Sequence, residues 1–143
     1  MSTTSRTFRN LALAASLSLA PLAFAGGAGV NVDGPMKDGN YVVHAYSCSG
    51  AASLHVTAFA EGVVNGQRRS LPLELNATKE AGVYTFPRSW PEQGRWLLRV
   101  ELEGRGLATV AALSHNGHVG RNEYVSDTEA KQQCDQKLAA NTK

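Results

Sequence analysis

LHVTAFAEGVVNGQRRSLPLELNA, residues 54–77, decides the fold. Leu54, Val56, Ala58 and Ala60 fall on one side of an extended chain, and His55, Thr57, Phe59 and Glu61 on the other, because successive side chains of a strand point to opposite faces. Asn65-Gly66 follows, the strongest short hairpin signal. Beyond it Leu71, Leu73 and Leu75 resume the alternation. A two-residue turn at Asn65-Gly66 sets Ala58 against Leu73 and Val56 against Leu75, with Thr57 opposite Glu74 and His55 opposite Asn76. Apolar meets apolar and polar meets polar, so the pattern predicts an antiparallel hairpin with strands over 53–64 and 67–77.

Upstream, residues 41–48 (YVVHAYSC) follow the turn-like Asp38-Gly39-Asn40 and are rich in Val and Tyr, which predicts another strand. His44 and Cys48 would then share a face but stand about 13 Å apart, at roughly 3.3 Å per residue, too far for one metal ion. Downstream, short strands are expected over 83–86, 95–103, 107–114 and 119–125. Trp96, Leu98, Val100 and Leu102 should face inward, and Arg99, Glu101 and Glu103 outward. Gly104-Arg105-Gly106 and a second Asn-Gly pair, Asn116-Gly117, are the turns between them. After Ser126 the period changes: Ser126 and Asp127 are N-cap candidates, and Ala130, Cys134 and Leu138 recur every fourth residue, one face of a short helix. Together these elements predict an all-β, antiparallel, immunoglobulin-like β-sandwich of about seven or eight strands with a short C-terminal helix, a partly open barrel being the alternative.

The first 25 residues read as a secretory leader. Arg6 and Arg9 precede a Leu/Ala-rich stretch that ends in Ala23-Phe24-Ala25, too short to span a bilayer, which takes about 20 residues. Cleavage after Ala25 would leave a sandwich over 26–125 and a helix and tail over 126–143, in the periplasm or outside the cell. The whole chain has 14 basic and 12 acidic residues. With Arg6 and Arg9 removed the two balance, so no charge excess favours nucleic acid or an anionic membrane, and no second apolar segment offers a membrane span. Cys48 and Cys134 are the only cysteines. In an exported chain they predict one disulfide tying the helix to the sandwich; two free thiols, or metal ligation by one of them, are the alternatives.

Gly82-Val83-Tyr84 and Pro91-Glu92-Gln93-Gly94-Arg95-Trp96-Leu97-Leu98 resemble a strand pair of bacterial periplasmic immunoglobulin-like domains, the FixH, YtkA-like and copper-resistance CopC-like families. The resemblance covers about 20 residues and implies the sandwich fold and, through some of those families, copper handling. The mature N-terminal histidine that binds copper in CopC-like proteins has no counterpart at Gly26, and Met36 is the only methionine after the leader.

Three groups of residues are candidates for chemistry. His115 and His118 flank Asn116-Gly117; a tight turn there would oppose them with Cβ atoms about 5 Å apart, a start for a copper or zinc site. Trp90, beside Arg88 and bracketed by Pro87 and Pro91, is either an exposed partner anchor or a plug for the end of the sandwich. Glu101 and Glu103 sit on one strand face about 7 Å apart, within the carboxyl separations of glycosidases; acids alternating with Arg99 also suit a solvated sheet. No hydrolase elbow or zinc-protease motif occurs. The leading expectation is an exported, non-catalytic binding or accessory domain without cofactor, for an unknown protein or small ligand. A periplasmic copper- or zinc-binding protein comes second and a hydrolase is a distant third.

Overall fold

The computed structural model describes residues 27–140. The predicted leader and its cleavage point lie outside the described residues, as do the last three. Nine strands and one helix follow in order: β1 (Gly29–Asp33), β2 (Tyr41–Tyr46), β3 (His55–Val64), β4 (Gln67–Leu73), β5 (Asn76–Ala77), β6 (Val83–Phe86), β7 (Arg95–Glu103), β8 (Leu107–Leu113), β9 (Val119–Ser126) and α1 (Asp127–Ala139). They form two antiparallel sheets, β1-β2-β6-β5 and β4-β3-β7-β8-β9. The molecule is an all-β sandwich with a short C-terminal helix.

The β3–β4 hairpin forms in the expected register: Ala58 faces Leu73, Ala60 faces Leu71 and Val64 faces Gln67. Asn65 and Gly66 both take positive φ, 50° and 75°, as a turn that continues the strand twist requires. The hairpin ends sooner than the alternation suggests. After Leu73 the chain leaves the sheet, and Asn76 pairs with Thr85 of β6 in the opposite sheet. Leu75 therefore packs on the core at the crossing, while Thr57 and His55 meet only Glu101 and Glu103 of β7. The crossing closes one side of the sandwich.

The other side is closed by a side chain. The Asn122 amide of β9 accepts from Val32 N and donates to Val32 O, both at 2.9 Å, so it pairs with β1 as a strand backbone would. Between the sheets lies the main core, with Val30, Val32, Tyr41, Val43, Leu54, Phe86, Trp96, Leu98, Val100 and Leu102 among its buried residues. A second core lies outside the five-stranded sheet, where Ala130, Cys134 and Leu138 of α1 cover Leu97, Ala108 and Val110. Ser126 caps the helix, its hydroxyl accepting from Glu129 N at 3.3 Å.

The second core corrects two expectations. Arg99 does face away from the main core, but it is buried rather than solvated, at 2% exposure. Cys48 and Cys134 are not bridged: both are free thiols. Cys134 lies under the helix on the outer face of the five-stranded sheet. Cys48 follows the end of β2 in the other sheet, where its thiol approaches Gly27 O at 3.7 Å. The five-stranded sheet stands between them, and a disulfide needs Cα atoms within about 7 Å.

Candidate functional site

A cleft opens at the end of the sandwich where the β6–β7 and β8–β9 connections meet. Its geometry starts from the hairpin at residues 114–118. Gly117 N donates to Ser114 O, and Ser114 N to His118 O, both at 2.9 Å, with Gly117 at φ 84°. This is a three-residue loop whose last residue is left-handed, one residue longer than the two-residue turn read from Asn116-Gly117. The extra residue shifts the pairing: Ser114 is now opposite His118, and His115 turns the corner. The expected opposition of His115 and His118 is therefore not formed; both are exposed, and only His115 lines the cleft.

The β6–β7 connection supplies the floor. Trp90 is 4% exposed, which excludes it as a protruding partner anchor. Its ring lies 5.1 Å from Tyr41 and 6.5 Å from Phe86, centroid to centroid, plugging the end of the core as the alternative reading has it. The Tyr41 hydroxyl donates to Gly117 O at 2.9 Å and so ties the floor to the opposite loop; burial pushes its phenol above the ordinary value. Arg88 folds back over Trp90, its guanidinium 5.8 Å from the ring centroid, and donates to Trp90 O at 3.2 Å and Pro91 O at 3.0 Å. Trp96 donates its indole N–H to Gln93 O at 3.0 Å, and Arg95 donates to Leu138 O at the end of α1.

The cleft encloses about 140 Å³. Trp90, Trp96, Leu113, Gly117 and Arg95 line it, with Arg88, Glu92 and His115 supplying its charge and polarity. Arg88, Trp90 and His115, which the sequence offers as two separate candidates, thus belong to one site. Glu92 and Arg95 were missed; they lie on either side of Gln93-Gly94, where Gly94, at φ 93°, turns the chain into β7.

A charged cluster sits apart from the cleft, on the outer face beside α1. Arg99 donates to Glu61 Oε1 from Nε at 2.9 Å and Nη2 at 2.7 Å, and to Glu101 from Nη1. Its guanidinium stacks 4.1 Å from the Phe59 centroid. Arg68 bridges Glu61 and Asp135, each at 2.9 Å, and so clamps the helix to the sheet. With Glu101 held by Arg99 and Glu103 exposed, the two acids are not a matched pair facing a common cleft. Among the described residues no three His, Cys, Asp or Glu side chains gather to hold a metal ion, and no helix is long and apolar enough to cross a membrane.

The chain matches no protein-family model, no curated protein and no solved structure.

Proposed function

We propose that this chain is an exported, non-catalytic binding domain, akin to the periplasmic immunoglobulin-like domains that its strand motifs resemble, and that it binds a small ligand through the end cleft. The observation that carries the reading is the cleft itself: an apolar floor with a few convergent polar groups, held on loops at one end of a rigid sandwich. Binding is favoured over catalysis because Arg88 is anchored on backbone carbonyls and the carboxylate at the cleft, Glu92, stands exposed. Copper or zinc at His115 and His118 loses its geometric support with the three-residue loop.

The test is a thermal-shift screen of small metabolites and metal ions on the chain recovered from a bacterial periplasm, repeated with Glu92→Ala and His115→Ala. The reading predicts a mature chain that begins at Gly26, and at least one stabilising organic compound whose effect changes in one or both variants. A full-length product retained in the cytoplasm would overturn export. Stabilisation that both substitutions leave intact would place binding elsewhere on the molecule.

A further inference from the structure

We propose that the end cleft takes a small organic anion, a single carboxylate carried on a compact apolar body. This rests on the reading of the cleft as a binding site and names the class of its ligand. Arg68 and Arg99 spend their charge on carboxylates, and the Arg95 guanidinium reaches Leu138 O at the end of α1, on the outer face of the five-stranded sheet. Arg88 forms no ion pair among the described residues and donates to neutral backbone carbonyls, so it is the guanidinium at the cleft, with the exposed Glu92 as the carboxylate there.

Arg88 is also pre-positioned. Two of its nitrogens are fixed on Trp90 O and Pro91 O and its plane rests over the Trp90 ring, so little conformational freedom is left to lose on binding. Its Nη1 forms no hydrogen bond among the described residues and points across to the opposite loop, 3.8 Å from where a Cβ on Gly117 would lie. A bare glycine there keeps the approach to Nη1 open. A guanidinium donor next to an apolar floor suits a carboxylate on a hydrophobic body. The volume, about 140 Å³, restricts that body to about one six-membered ring, the size of guest that a cavity of roughly 150 Å³ accepts. Glu92 disfavours a second negative charge.

Trp90 and Trp96 are the only tryptophans of the chain, and both line the cleft, so intrinsic fluorescence reports its occupancy. The experiment titrates the exported chain with cyclohexanecarboxylate, cyclohexylmethanol and cyclohexylmethylamine, which share a shape, differ in charge and are transparent where tryptophan absorbs. The expected result is a saturable change with the carboxylate and binding weaker by roughly tenfold or more with the alcohol and the amine, the scale of one charge-assisted hydrogen bond. Arg88→Gln should weaken the carboxylate by a similar factor. Glu92 is exposed and makes no side-chain hydrogen bond or ion pair among the described residues, so Glu92→Gln should fold normally and strengthen carboxylate binding severalfold. If alcohol and carboxylate bind alike and Glu92→Gln changes nothing, the anion assignment fails while the binding site stands. If none of the three saturates, both fail.

Discussion

Arg99 is the largest fully buried side chain among the described residues. Burying a guanidinium is costly unless its charge is paired and its donors are satisfied; here Glu61, Glu101 and the face of Phe59 supply that. Arg99→Met leaves Glu61 buried at 2% exposure with Arg68 as its remaining cation, and is expected to cost about 3–5 kcal/mol in urea unfolding. Adding Glu61→Leu should recover part of the loss, since no uncompensated charge then stays inside. The cysteines give a second prediction. Burial pushes the Cys134 thiol up to about 11, so in the folded protein iodoacetamide should modify Cys48 and spare Cys134 until denaturant is added. Because the folded-state value is raised, the stability linked to Cys134 is complete below about pH 9 and declines as pH rises toward 11, by on the order of 2–3 kcal/mol. Neither point was legible in the sequence. Alternation places Arg99 away from the main core correctly, but it says nothing about a helix returning some thirty residues later to cover that face. The disulfide expectation failed because cysteine count and compartment carry no information about which side of a sheet each thiol occupies.

At the scale of elements, the sequence was most informative where local chemistry and tertiary pairing agree. Asn65-Gly66 and the alternation on either side fix the β3–β4 register residue by residue, and the four-residue spacing of Ala130, Cys134 and Leu138 identifies the docked face of α1. Legibility ended where partners are distant. Alternation is the same whether Asn76 pairs back on β3 or crosses to β6, so the crossing could not be read. β1 is short and was passed over, although Val30 and Val32 alternate with Asn31 and Asp33. β1 is held to β9 by the Asn122 amide, by Tyr124 donating to Asn31 and, just past β1, by Val119 N donating to Gly34 O at 2.9 Å; the amide, with two of these bonds, offers a direct test. Asn122→Ala removes both bonds to Val32 and leaves its backbone groups without those partners. The expected cost is about 2 kcal/mol, with faster hydrogen exchange at the Val32 amide and little change in the β3–β4 hairpin; equal acceleration in both places would mean that the seam is no separate structural unit. At the other end, Ser126→Ala should lower stability by about 1 kcal/mol through loss of the α1 cap.

At the scale of the molecule, the two outer faces differ. The five-stranded sheet is covered by α1 and its ionic clamp. No helix among the described residues covers the four-stranded sheet, which presents Tyr46, 46% exposed, beside Tyr124 of β9, 58% exposed; the Tyr124 hydroxyl donates to Asn31. Among the described residues nothing covers that face, whereas the end cleft is concave with polar groups around it, and the cleft is the binding site proposed above. The cleft's residues were half legible. Pro87 and Pro91 mark the Trp90 loop and Asn116-Gly117 marks the turn, but their meeting at one end of the sandwich is a property of the topology alone.

The most direct measurement is a two-dimensional ¹H–¹⁵N correlation spectrum of the protein, recorded as cyclohexanecarboxylate is added. Binding at the cleft should concentrate shifts at Arg88, Trp90, Glu92, Trp96 and residues 113–117, including both indole N–H signals, with Tyr46, Tyr124 and the outer face of α1 unmoved. Shifts centred on Tyr46 and Tyr124, or beside Phe59 and Arg68, would contradict the assignment of function to the cleft.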